Sequence, residues 1–319
     1  MRLTDIRWMD ELAGSDGLNP IAQRAVDSWD SDPGSVRFFR SSANFVFTFR
    51  RDDTPHFLRL SLDAERDRSA IEAELELVGW LRGEDVPVPA IVPSRDGIEV
   101  VTLDSEAGPL HAVVFNAASG TQRELTELAP SDLRAWGAAL GRLHAALRRY
   151  PKARVAARES FRDQLDFAEA QIGDDPLVRA ELETIRAGLA ALPVDRDNFG
   201  LIHGDFELDN LFWTGTISSI IDFDGCVFHW FAADVVFALE DAAPDEFLAG
   251  YTAHSPLDAR IWARADLLSR SRELLRHATI VRALDLPPDE VMPEWLQTLQ
   301  SKLELRRARY REQVAKRPR

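Results

Sequence analysis

Two closely spaced polar blocks constrain this chain more than any other feature. The first is HGDFELDN, His203 to Asn210, and the second is IDFDG, Ile221 to Gly225. The apolar run Leu201–Ile202 enters the first block. Leu211-Phe212-Trp213 and Ile217 to Asp222 read as two short strands around the turn-like Thr214-Gly215-Thr216. The acidic residues therefore fall on a loop and at a strand end, where a rigid scaffold is needed to hold them at fixed separations.

The spacing carries a chemistry. Asn210 follows Asp205 by five residues, and Asp222 follows Asn210 by twelve. Moving a phosphoryl group from ATP to a hydroxyl needs a carboxylate that accepts the hydroxyl proton, and oxygen ligands that hold Mg²⁺ on the phosphates. Mg²⁺ prefers hard oxygens and keeps several waters. Asp205 suits the base, and Asn210 and Asp222 suit the metal.

Composition narrows the classes. The chain has 319 residues, with 45% hydrophobic and 29% charged residues, as expected of a globular protein with a large core. A formal charge of −15 argues against nucleic acid, which a basic surface would bind. Cys226 is the single cysteine and excludes an intramolecular disulfide framework. There is no signal pattern and no apolar run of membrane-spanning length, so the expected location is cytoplasmic, with no membrane partner.

Along the chain, Asn19-Pro20 reads as the cap and first turn of a helix reaching Trp29. Val36 to Phe49 alternates and reads as a hairpin around Ser41-Ser42-Ala43-Asn44. Phe57 to Leu60, Gly97 to Leu103 and Leu110 to Phe115 read as strands. Ala64 to Leu81 has helical periodicity through Ile71, Leu75, Val78 and Leu81. Asn116 to Gly120 breaks the pattern, and the chain beyond it is mostly helical, including Ser131 to Arg149, Arg158 to Ile172 and Pro176 to Leu192. The expected fold is α+β with two lobes: a β-rich N-lobe at 1–117 with one main helix, and a mostly helical C-lobe at 118–319. The basic tail, Arg306 to Arg319, reads as a solvated helix end.

The polar blocks match the protein-kinase pattern H-R-D-x-x-x-x-N followed by D-F-G, with Gly204 in second place and Asp222-Phe223-Asp224 as the later motif. With these departures the chain resembles the aminoglycoside phosphotransferase and choline kinase superfamily, including its type II homoserine kinase-like members. The resemblance runs from about Arg37 to Asp241. It implies a protein-kinase-like fold and an ATP- and Mg²⁺-dependent kinase acting on a hydroxyl of a small molecule such as an aminoglycoside, homoserine or a choline-like amino alcohol. A protein Ser/Thr kinase is disfavoured, because only eleven residues separate Asp222 from Asp234 and leave little room for an activation segment. A nucleotide-binding pseudokinase is the rival from another class.

The resemblance also assigns residues. No lysine precedes Lys152, so Arg59 takes the phosphate-binding cation position, with Glu74 as its partner and Glu72 and Glu76 as neighbours. Ser42 and Asn44 at the hairpin tip either approach phosphates or form an ordinary turn, and Phe115 to Ala118, with Phe115 and Ala117 as its contacts, resembles the hinge that meets adenine. His203 supports the loop, Asp224 joins the metal site or positions Asp222, and Asp234 anchors the loop. Glu207 stands where protein kinases often have a lysine, so neutralising charge is expected from Mg²⁺, Arg59 or substrate. Glu207 and Asp209 either face a cationic acceptor or belong to a solvated loop. Trp230 is either an acceptor wall or core, and His144 reads as a core histidine.

Overall fold

A computed structural model describes residues 1–13, 18–151, 158–239, 244–287 and 292–317. Within it the chain divides into two compact units. Residues 1–76, 89–117 and 280–306 make the first, and residues 77–88, 118–279 and 307–319 the second. Lys152 lies outside the described residues.

The first unit begins with α1 (Leu3–Glu11) and α2 (Pro20–Val26). The Asn19 side chain accepts from the Ile21 and Ala22 N–H groups at 3.0 Å, satisfying donors that a helix start leaves without partners. Strands β1 (Arg37–Ser41), β2 (Phe45–Arg51) and β3 (Thr54–Leu62) come next, and α3 (Arg68–Gly83) starts within this unit. The unit is completed by β4 (Val101–Leu103), β5 (Leu110–Asn116) and residues 280–306. The sheet order is β1-β2-β3-β5-β4, with all pairs antiparallel.

Alternation along β3 sends its two faces to different partners. Leu58 and Leu60 join Phe45, Phe47, Ala22 and Val26 in one core. On the other face Ile71 and Leu75 of α3 pack with Val113 and Val100. Arg59, paired in register with Val113, shares that second face. The strand expected from Gly97 is shorter in fact. Gly97 sits at φ +77° in a turn in which its N–H donates to the Ser94 carbonyl, so pairing starts only at Val101.

The second unit holds α4 (Pro130–Leu147), α5 (Phe161–Gln171), α6 (Pro176–Ala190), β6 (Phe199–Ile202), β7 (Leu211–Trp213), β8 (Ile217–Ile220), β9 (Val227–Trp230), α7 (Phe231–Ala238), α8 (Pro244–Thr252) and α9 (Ala259–Trp262). α10 (Ala265–Ala283) belongs to it up to Thr279, and α11 (Glu294–Lys316) from Arg307. β6 pairs with β9 and β7 with β8, both antiparallel. Helices α4 and α8 meet through glycines: a Cβ at Gly137 would strike the Phe247 backbone, and one at Gly250 the Arg134 backbone.

One sequence expectation changes here. The basic C-terminal segment is tied down: Arg311 pairs with Asp175 at 2.7 Å, and Arg317 with Glu181 and Glu273. Acidic residues at the start of α6, on α6 and on α10 supply the partners.

Candidate active site

β6 runs into the first polar block, and β9 leaves the second. Their pairing, with Ile202 opposite Val227, brings the two blocks side by side. Gly204 has φ +83°, and a Cβ there would collide with the Gly225 carbonyl. This contact gives the physical reason for glycine in the second position of the HGD motif. A backbone bond from Ile221 N–H to the Asn210 carbonyl, 3.0 Å, ties the end of the first block to the residue before Asp222.

Asp234, the fourth residue of α7, clamps the loop from beneath. It is fully buried, and its carboxylate accepts the N–H groups of His203 at 2.7 Å and Gly204 at 2.8 Å. Its third partner is His144 Nε2 at 3.0 Å. A carboxylate only accepts, so His144 carries its proton on Nε2 and takes the Tyr251 hydroxyl proton at Nδ1, 2.9 Å away. Ser255 donates to Tyr251, and Arg148 to Ser255. Burial opposes ionisation of Asp234, but the His144 hydrogen bond together with the His203 N–H outweighs it and holds the carboxyl below its ordinary range. Burial likewise pushes His144 down, against the pull of Asp234, so the pair is a carboxylate and a neutral imidazole.

His203 is also fully buried. Its Nδ1 accepts from Asp205 N–H at 3.3 Å, and its Nε2–H donates to the Ile221 carbonyl at 3.0 Å. One ring thus joins both blocks. Asn210 Nδ2 donates to the Asp205 carbonyl at 2.9 Å and to Asp205 Oδ2 at 3.0 Å. With Nδ2 committed, Oδ1 is the oxygen Asn210 offers to a cation. Asp222 is half-buried in the left-handed region, φ +70°, a strained backbone for a residue with a side chain. Asp224 is half-buried in the helical turn just after it. Among the described residues no three His, Cys, Asp or Glu side chains are grouped to cage a metal. The donors at the blocks are hard oxygens, a set that fits Mg²⁺, which is held through one or two carboxylates plus phosphates and waters.

Sequence reasoning missed the cation beside Asp205. Arg272 of α10 donates to Asp205 Oδ1 at 3.1 Å and also pairs with Glu207. Arg276 reaches Glu207 at 2.7 Å. Glu207 is therefore engaged by two guanidiniums, whereas Asp209 is exposed. Trp230 is fully buried among Phe161, Phe199 and His229, with its indole N–H donating to the Pro193 carbonyl at 2.8 Å. Its ring fills the core and makes no acceptor wall.

In the first unit Arg59 makes a two-pronged bond to Glu74, NH1 to Oε1 at 2.8 Å and NH2 to Oε2 at 2.7 Å. Glu74 is 1% exposed, and Arg66 also reaches its Oε2 at 2.7 Å. Glu72 instead pairs with Arg68, and Glu76 is exposed. The Arg59 guanidinium lies 5.4 Å from the centre of the Phe115 ring. At the hairpin tip Ser42 is exposed and its N–H donates to the Asn44 carbonyl, while the buried Asn44 side chain accepts from Ser61 at 2.6 Å. Ala117, just past β5, is half-buried.

Residues 35–268 match the phosphotransferase enzyme family. The amicoumacin kinase of Bacillus subtilis (strain 168) is 24% identical over 288 residues, covering 83% of this chain and 85% of its own. A solved structure of the amicoumacin kinase hAmiN with AMP-PNP, Ca²⁺ and Ami superposes with a TM-score of 0.77 at 22% identity, covering 92% of both chains. A microcompartment-associated aminopropanol kinase superposes with a TM-score of 0.68 at 26% identity, covering 93% of this chain and 98% of its own.

Proposed function

The chain belongs to the phosphotransferase enzyme family and is a small-molecule kinase of the protein-kinase-like fold, and from this premise we propose that it moves the γ-phosphoryl group of ATP to a hydroxyl of an amine-bearing small molecule, using Mg²⁺. Asp205 accepts the hydroxyl proton. The acceptor oxygen bonds to the γ-phosphorus as the bond to the β,γ-bridging oxygen breaks, and ADP leaves with that electron pair. Asn210 Oδ1 and the Asp222 carboxylate would hold Mg²⁺, whose charge offsets that of the phosphates when bound. Arg59, aligned by Glu74, serves the phosphates. The hairpin tip at Ser42 and Asn44 approaches them, and Phe115 to Ala117 meets adenine. Residues 1–117 would form the nucleotide lobe and 118–319 the catalytic and acceptor lobe.

The observation that carries this reading is the Asp205 carboxylate, half-exposed yet held on Oδ2 by Asn210 at 3.0 Å. A general base must be both placed and reachable. The amine is supported by aminopropanol, by its name an amino alcohol, as the substrate of one relative. It is also supported by the formal charge of −15 and the exposed Asp209. Among the described residues no helix is long and apolar enough to cross a membrane, and we place the enzyme in the cytoplasm. The test is a screen of amino alcohols, hydroxyl-bearing amino acids and aminoglycosides for acceptor-dependent ADP release. Release with at least one amine-bearing acceptor is expected. Tight ATP binding with no release across the panel would point instead to a pseudokinase.

A further inference from the structure

We propose that Arg272 is the positioning cation of the catalytic loop, fixing Asp205 for phosphoryl transfer where the loop itself carries Glu207 in place of a lysine. The proposal rests on the kinase function proposed for this chain. Arg272 comes from α10, 67 residues beyond Asp205 in the chain. It is 7% exposed, so its charge needs compensation on site. Its NH1 donates to the Phe237 carbonyl at 2.7 Å, and its guanidinium lies 4.8 Å from the Phe237 ring centre. Its NH2 then reaches Asp205 Oδ1 at 3.1 Å and Glu207 Oε1.

Asp205 is thus restrained from both sides, by Asn210 on Oδ2 and by Arg272 on Oδ1. Each carboxylate oxygen keeps a second lone-pair site, so the group is held in one rotamer yet can still take a proton. Placing a base in advance removes an orientational cost from the barrier. The buried guanidinium also offsets the repulsion between the Asp205 carboxylate and an arriving phosphoryl group. That interaction is stronger away from bulk water.

Glu207 acquires a meaning on this reading. Shared between Arg272 and Arg276, it is the counter-ion that draws the guanidinium to the loop. The acidic residue in the lysine position therefore recruits a cation from another helix.

The test uses the full chain and the acceptor that the wild type uses in the screen. Turnover, acceptor KM, MgATP affinity by calorimetry and thermal midpoint are measured for Arg272→Gln, Arg272→Lys and Glu207→Gln. Arg272→Gln should lower kcat by about thirty- to a hundredfold, the scale of one preorganised charge, with KM and MgATP Kd within about threefold. Arg272→Lys should recover kcat to within about tenfold of wild type, since it restores charge without the planar fork. Glu207→Gln should cost about tenfold in kcat. A folded Arg272→Gln enzyme with kcat near wild type overturns the proposal. So do equal kcat losses in the Gln and Lys variants that simply follow a drop in thermal midpoint, because Arg272 would then only staple α10 to α7. If the wild type releases no ADP with or without acceptor, the kinase reading falls and this role falls with it. Wild-type turnover that needs Asp205 but is indifferent to Arg272 sinks this role alone.

Discussion

Glu74 in the first unit and Asp234 in the second are both buried carboxylates, and they are neutralised by opposite means. Glu74 meets two guanidiniums, Arg59 and Arg66, each at 2.7 Å. Asp234 meets dipoles: two backbone N–H groups and a neutral imidazole. The first arrangement desolvates three ions and fixes the Arg59 guanidinium through a two-pronged bond. The second contains no counter-ion and pins backbone, since its partners are the loop's own N–H groups. One carboxylate aims a charge and the other fixes a loop. Asp205, half-exposed with one charged and one neutral partner, combines both modes.

The comparison can be broken most forcefully at Asp234. Asp234→Ala leaves two backbone donors and the His144 N–H without acceptors, and should cost about 3–5 kcal/mol, read by denaturant unfolding. A loss below about 1 kcal/mol would mean that the clamp is dispensable. Asp205→Asn should do the reverse. Stability and MgATP binding stay near wild type while kcat drops at least about a hundredfold, the scale of a general base. Near-normal turnover would remove Asp205 from the mechanism.

Acid should sharpen the contrast, because the second unit buries histidines in neutral form. Burial lowers His229 to about 4 and, with the nearby Arg307 charge, His277 to about 4. The unfolded chain takes up these protons below roughly pH 6.5, whereas the folded chain resists until about pH 4. Stability is therefore fully present above the unfolded value and is lost as pH falls through this window. The slope approaches about 1.4 kcal/mol per pH unit for each histidine. Hydrogen-exchange protection factors, each corrected for the intrinsic rate at its pH, should fall more for β6 and β9 than for β2 and β3 between pH 7 and pH 5, and an equal fall would count against this assignment.

The smallest effect is expected at the first unit's ion pair. Arg59→Ala should weaken MgATP binding about tenfold, and Arg59→Lys should restore part of it. Glu74→Ala should cost less on the Arg59→Ala background than alone, because the two residues act as a pair. Unchanged affinity in Arg59→Ala would exclude it from nucleotide binding.

Legibility followed distance along the chain. The adjacency of the two blocks that carry Asp205, Asn210 and Asp222 was readable, because the spacing lies within two turns and a hairpin, where local geometry sets separations. Arg59 and Glu74, fifteen residues apart, were readable as a strand followed by a helix, though only the packed helix separates Glu74 from Glu72 and Glu76. Glu207 and Trp230, each with two readings in the sequence, stayed undecided for one reason. An acidic loop residue and an aromatic near a site look available until the fold shows two arginines on one and a closed core around the other.

The sequence by itself determined the α+β kinase-like fold, the reaction class and the oxygen-bearing residues of the loop. Apolar periodicity and short-range spacing are properties of the chain itself. Tertiary structure alone decided what holds that loop. His144 lies 90 residues from Asp234, and Arg272 lies 67 from Asp205. An arginine or histidine on an amphipathic helix carries no mark of its partner. Which buried charge it answers is settled only when helices close together and the desolvated groups must find each other.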